Sequence, residues 1–299
     1  MKILICFGTN FNIMLSVVKK YASFVKFSHT VFAMPFALIS FFYAYISNDI
    51  PFNIVLLIKI ILCMVFARNA AMGFNRYADR KIDAKNPRTK NREIPAGKIS
   101  SKNAVWFIII NCVLFIATSF FINRLAFSLS PIALAVVLGY SLTKRFTSLC
   151  HIFIGLSLSI APIGAYIAVT GQFALTPLVL SSLVLTWVGG FDIIYSLQDT
   201  QFDKDNGINS MPSRLGIKNS LIISSLLHFF TIITVIIFGS MIGGSILYIA
   251  GSAIFISLLI YQHIIVKPSD LSKINLAFGT VNGIASICYA VFVIADILI

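Results

Sequence analysis

The sequence predicts an all-α, polytopic membrane protein, with nine transmembrane helices in one bundle and a polar face turned to the cytoplasm. Three observations predict it. Mean hydropathy is +0.93 and only 11% of the 299 residues are charged, which excludes an ordinary soluble domain. Nine apolar stretches recur along the chain, each near the roughly 20 residues that cross a bilayer. All but two of the 23 basic residues fall in alternate loops, as the positive-inside rule requires. That segregation also accounts for a formal net charge of +13, which in a soluble chain would point to nucleic acid.

Residues 1–26 read as a cytoplasmic lead-in, with Lys19, Lys20 and Lys26 ahead of the first apolar run, and residues 27–299 as a single membrane domain. Spans are expected near 27–47, 53–74, 104–122, 126–141, 152–170, 177–197, 221–239, 244–264 and 275–296. Pro51, Pro131, Gly171, Pro177, Gly243 and Pro268 punctuate many of the ends, and an end at Pro131 leaves the fourth span short. Lys59, within the second span, and Arg124, in an outer loop, are the two exceptions to the charge pattern. The topology this implies is N-in, C-out. Residues 3–7 are apolar but too short a run for a signal peptide. The five cysteines (Cys6, Cys63, Cys112, Cys150, Cys288) are scattered without a CxxC and read as small buried hydrophobes. The four histidines are equally dispersed, and His151, His228 and His263 read as structural.

Two polar islands interrupt the apolar pattern. The first, residues 75–98, carries Asn75, Asp79 and Asp83 at four-residue spacing, which on a helix puts all three on one stripe. Paired carboxylates repel unless a cation sits between them, and oxygen ligands at this reach suit Mg²⁺, which takes one or two carboxylates and leaves room for water and phosphate. Lys85, Arg88, Lys90 and Arg92 follow, all suited to phosphate oxygens. The second island, residues 192–214, repeats the device with Asp199 and Asp203 four apart, Asp192 two turns earlier, and Lys204, Asp205 and Arg214 behind them. Each island runs into a proline and then a glycine (Pro95 and Gly97, Pro212 and Gly216). Only ten residues are acidic, and seven of them lie in these two windows, so the clustering is not chance. The islands follow the second and sixth spans, a spacing that predicts a pseudo-duplicated bundle with two acidic helices facing one cavity.

Two acidic pairs at the mouth of an apolar bundle could hold two Mg²⁺ ions bridged by a diphosphate, with Arg and Lys balancing its charge. Such a site stabilises the charge that develops on an allylic diphosphate as its C–O bond breaks. The isoprenoid tail needs a long apolar path, which the bundle supplies. Most of the 27 phenylalanines read as packing or lipid-facing, with Phe74 and Phe191 placed to face an allylic cation.

These motifs resemble the UbiA superfamily of intramembrane aromatic prenyltransferases, over essentially the whole chain. Asn75, Asp79 and Asp83 match its NxxxDxxxD, with Arg88 and Arg92 following at the family spacing. Asp192 with Asp199 and Asp203 match its second motif, and GYSLTKRF at 139–146 is similar to its YxxxK segment, giving Tyr140 and Lys144. The resemblance implies that Asn75, Asp79, Asp83, Asp199 and Asp203 bind Mg²⁺-diphosphate, and that Arg88, Arg92 and Lys144 bind the phosphates. It places Asp192 and Tyr140 near the reacting carbon or the acceptor. The reaction it implies is electrophilic aromatic substitution with Mg²⁺ and no redox cofactor, in a bacterial cytoplasmic (inner) membrane with the site facing inward.

The stretches at 25–37 and from Arg68 onward look like the branch labelled 4-hydroxybenzoate polyprenyltransferase, and very similar segments occur in enzymes that prenylate 1,4-dihydroxy-6-naphthoate for menaquinone. Lys26 or Arg68 could pair with the acceptor carboxylate, and His29 could orient a phenol. The partners implied are a polyprenyl diphosphate, a small aromatic acid and membrane lipid; neither nucleic acid nor an obligate protein partner is expected. A CDP-alcohol phosphatidyltransferase would need a DG…AR pair ahead of its DxxxD, which is absent. A cation transporter would place its ionisable groups near the bilayer midplane, whereas these acids sit at span ends among basic residues.

Overall fold

In the computed structural model, which describes residues 20–25 and 32–299, the chain is helical throughout apart from loops and one isolated bridge between Lys267 and Asp270. Helix α1 spans Met34–Ser47, α2 Ile54–Ala78, α3 Arg80–Lys85, α4 Ser101–Phe120, α5 Arg124–Thr143 and α6 Cys150–Thr170. Then come α7 (Leu175–Ser196), a 3₁₀ turn (Leu197–Asp199), α8 (Thr200–Asp205), α9 (Met211–Ile242), α10 (Ile246–Ile265), a π-helical turn (Leu276–Val281) and α11 (Asn282–Leu298). Among the described residues eight helical segments are long and apolar enough to cross a membrane, and Met34–Ser47 is a shorter apolar helix. Among the described residues that makes nine apolar helices in one bundle, in keeping with the expected architecture.

Lipid offers the backbone no hydrogen bonds, so helix ends must be closed from within the chain. The carboxamide of Asn53 accepts from Val55 N and Leu56 N, and Ser100, Asn123, Ser210 and Ser245 cap α4, α5, α9 and α10 in the same way. The Asp296 carboxylate reinforces the last cap by accepting from Ser245 N and Tyr248 N. Lys59 reaches out of its span to the Phe121 carbonyl at 2.6 Å, a partner that explains a lysine inside an apolar helix.

The fourth span is longer than the sequence suggests. Pro131 lies inside α5, a helix of 20 residues, rather than at an end. Proline leaves the carbonyl four residues back without its usual donor, and Ser130 Oγ donates to that Phe127 carbonyl at 2.8 Å. Further on, Gly216 interrupts α9 with φ 77° and ψ 168°, so the straight span begins just after it, where the apolar run begins.

Helix α6 packs along α7, and α7 packs along α9, while α1 lies against α6 and α11. The core between them is aromatic: Phe36, Trp187, Phe255 and Tyr289 are fully buried in one cluster. Trp187 Nε1 donates to the buried Asn282 at 3.0 Å, tying α7 to α11.

Candidate active site

Both islands form by the same local event, a membrane-length helix that breaks and resumes as a six-residue helix. At the first, α2 stops at Ala78, and Asp79 takes φ −87° and ψ 0° before α3 begins. The four-residue stripe survives the break, because Asp79 N still donates to Asn75 O at 2.9 Å and Asp83 N to Asp79 O at 2.8 Å. Pro87 forbids helix in the residue before it; Asn86 is extended there, and its side chain accepts from Arg88 N. That turn sends Arg88 across the cavity. At the second island, α7 tightens into the 3₁₀ turn ending at Asp199 before α8 carries Asp203. The expected continuous stripes are thus each bent at an aspartate, with the acids still converging.

They converge on one cavity of about 680 Å³. Eleven of the expected site residues line it: Arg68, Asn75, Asp79, Asp83, Arg88, Arg92, Tyr140, Lys144, Asp192, Asp199 and Asp203. Lys26 and His29 lie outside the described residues. Lys85 and Lys90 are exposed and outside the lining, and of the two candidate phenylalanines only Phe191 lines it. Beyond the islands the walls are apolar, reaching Ile122, Ala168 and Phe173 at the opposite end of α4 to α7. From His151 to Ala168 along α6 is roughly 25 Å at 1.5 Å per residue, most of the bilayer core.

Three of the acids are held by lysine or arginine. Lys144 Nζ lies 2.5 Å from Asp79 Oδ2, and Arg92 Nη1 grips both oxygens of Asp83 at 2.8 and 2.9 Å. Arg88 forks onto Asp199 from Nε, at 3.0 Å, and from Nη2, while Asn86 Nδ2 donates to the same carboxylate at 2.9 Å. The Tyr195 hydroxyl accepts from Arg88 Nη1 at 3.0 Å, under a guanidinium that also lies 5.4 Å from its ring. Five aspartates line the cavity beside Arg68, Arg76, Arg88, Arg92, Lys144 and His151.

Asp79 is 1% exposed, and its Oδ1 has no hydrogen-bond partner; the nearest cation to it, Arg145 Nη2, is 3.7 Å away. Burial holds the Asp79 carboxyl above the usual carboxylate range, against the pull of Lys144. An orphaned buried oxygen on a carboxylate, next to Asn75 and Asp83, is a donor set that suits a hard divalent cation completed by water and phosphate. No group of three His, Cys, Asp or Glu is gathered closely among the described residues, so the donors do not resemble a closed transition-metal centre.

Three contributors escaped the sequence reading. Arg76 lines the cavity at 4% exposure with Nε and Nη1 unpartnered. Arg145 donates to the Ala78 carbonyl at 2.8 Å, closing the end of α2 at the break. His151 lies 2.7 Å from Asp192. Only their places in the chain, Arg76 next to Asn75 and Arg145 next to Lys144, could have signalled the two arginines.

The model of the UbiA prenyltransferase family matches residues 33–287. A 4-hydroxybenzoate octaprenyltransferase of Aliivibrio fischeri (strain MJ11) is 30% identical over 233 residues, 78% of this chain and 81% of that one. One from Haemophilus ducreyi is 31% identical over 72% of this chain and 77% of its own length. Among solved structures, the apo form of a UbiA homolog from Aeropyrum pernix K1 aligns with a TM-score of 0.77 at 27% identity, covering 90% of this chain and 97% of that one. A UbiA homolog from Archaeoglobus fulgidus bound to GPP and Mg²⁺ shares the fold, with a TM-score of 0.70 at 22% identity over 94% of this chain and 100% of that one.

Proposed function

Since the chain belongs to the UbiA prenyltransferase family, we propose that it moves a polyprenyl group from a polyprenyl diphosphate to 4-hydroxybenzoate, in ubiquinone-type respiratory quinone synthesis. One observation carries the reading: both acidic islands and the cation set meet at one end of a single cavity whose remaining length is apolar. A prenyl diphosphate has the same two-part chemistry. The curated relatives support the choice of acceptor.

Asn75, Arg88, Arg92 and Lys144 hold the diphosphate. Because Arg88, Arg92 and Lys144 are each already paired with a carboxylate, a diphosphate has to break those pairs, and counter-cations arriving with it take up the freed carboxylates. Asn75, Asp79 and Asp83 on one side, and Asp199 and Asp203 on the other, would hold Mg²⁺. When bound, Mg²⁺ supplies the positive charge that stabilises the departing diphosphate. The apolar wall keeps water from the allylic cation, and Phe191 offers it a π-face. Arg68, whose buried Nε has no hydrogen-bond partner, lies about 10 Å along α2 from Asn75 by helical rise and pairs with the acceptor carboxylate; Lys26 is the other candidate. Tyr140 stands near Arg68, Asp192 and Asp79, on the path between the two substrates, and Asp192 takes the ring proton. The basic loops support a bacterial inner-membrane location with the N-terminus and the site on the cytoplasmic side.

The test is a membrane assay with Mg²⁺ and a polyprenyl diphosphate, offering 4-hydroxybenzoate and 1,4-dihydroxy-6-naphthoate in parallel and scoring product by mass. Prenylated benzoate is expected. Product from the naphthoate alone moves the enzyme to menaquinone synthesis. Absence of pyrophosphate release with either acceptor rejects the proposal.

A further inference from the structure

A buried imidazole stands behind the Asp192 carboxylate. His151, in the first turn of α6, is 3% exposed, with Nδ1 2.7 Å from Asp192 Oδ2. Its Nε2 faces the backbone N–H of Met211 at 3.3 Å. A backbone N–H can only donate, so Nε2 must carry the lone pair and the ring proton sits on Nδ1. The ring therefore donates to Asp192 through Nδ1 and has both nitrogens engaged. Met211 opens α9, so three helices fix one carboxylate: α6 supplies the donor, α9 locks its tautomer, and α7 carries the acid.

This partner differs in kind from the others. Asp79, Asp83 and Asp199 are each paired with a lysine or arginine. Asp192 is held instead by one ring N–H, which aims the carboxylate along a single direction. Asp192 keeps 20% of its side chain exposed, and it lines the cavity.

Resting on the prenyl transfer proposed above, we infer that His151 is a positioning residue, which aims the Asp192 carboxylate at the aromatic acceptor so that it takes the ring proton. The step balances within the two substrates and this acid. The C–O bond breaks with its electron pair leaving on the diphosphate, and a ring electron pair forms the new C–C bond. The C–H pair at that carbon then returns to the ring as its proton passes to Asp192. His151 does not relay that proton onward, because Nδ1 already holds one and Nε2 is closed by Met211.

The experiment uses the full chain in lipid vesicles, with geranyl diphosphate and the acceptor that reacts in the parallel assay. His151→Ala is expected to lower kcat about 10- to 100-fold, as a misplaced group does, with an unchanged KM for geranyl diphosphate. His151→Asn, whose Nδ2 can donate from nearly the same place as Nδ1, recovers most of that loss. In an Asp192→Asn background, His151→Ala costs nothing further. Losses that multiply in the double variant, or an Asn variant as poor as Ala, make His151 a packing residue and overturn the inference. Full kcat in Asp192→Asn overturns instead the role of Asp192 on which it rests. Nitrogen-15 spectra of the four histidines, assigned by loss of one signal in His151→Asn, check the geometry without turnover. A ring that carries a proton on Nδ1 is expected, and a ring with its proton on Nε2 alone overturns the inference.

Discussion

Asp79 is the most exacting residue of the site, because it is buried, paired on one oxygen and orphaned on the other. Asp79→Ala is expected to abolish pyrophosphate release from a prenyl diphosphate while the protein still inserts and folds, and Asp79→Asn to be nearly as damaging, since charge rather than shape holds a cation. Retained turnover in either would remove Asp79 from the ligand set. Arg68 makes a separable prediction. Arg68→Gln should raise the KM for the aromatic acid about 10- to 100-fold, the worth of a charged hydrogen bond of roughly 1.5–3 kcal/mol, with little change in the KM for the diphosphate. Equal KM values for the acid would assign its carboxylate elsewhere. The acids were legible because a four-residue spacing is written along the chain and acidic residues are scarce in it. Arg76 and His151 were not: their roles depend on which partners three-dimensional packing brings near, and a lone arginine or histidine carries no local pattern.

At the scale of helices, the site depends on how closely α6 meets α7. Gly155 lies against the backbone of Leu185 and Gly189, where a Cβ would collide with the Leu185 carbonyl. Gly155→Ala should therefore destabilise the protein by about 1–3 kcal/mol through overpacking, read as a lower Tm. It should also reduce kcat, because His151 lies one turn away and its donor distance depends on that contact. Gly139→Ala meets nothing within 4 Å and serves as the control, with a Tm unchanged or slightly raised. Equal melting of both variants would mean that the helix pair can slide apart at no cost. Hydropathy located the spans well and their interruptions poorly. Pro131 looked like an end because proline usually is one, and the serine hydroxyl that repairs the helix beside it has no signature in composition. The breaks at Asp79 and at Leu197–Asp199 were equally silent, since the first keeps the four-residue bonds of a straight helix and a single 3₁₀ turn leaves no mark on hydropathy.

Over the whole molecule, duplication is the feature that the sequence displayed most openly. Two islands with one spacing predicted two acidic ends facing one cavity, and the fold brings them together with matching breaks and matching six-residue helices. The pairing between the halves was not foreseeable, because Arg88 had every reason to be assigned to phosphate and instead holds an aspartate of the opposite island. That contact makes substrate and cation binding two sides of one ion exchange. A phosphate that recruits Arg88 frees Asp199, and a cation that recruits Asp199 frees Arg88, so each ligand must strengthen the other's binding by the same factor. Titration calorimetry should find prenyl diphosphate and Mg²⁺ each weak alone and markedly tighter together, and Arg88→Ala should shrink that mutual gain. Equal affinities with and without the companion ligand would show two independent sites. Seen this way, the arginine at the mouth acts as a toll between the halves: neither ligand can settle there without making room for its counterpart.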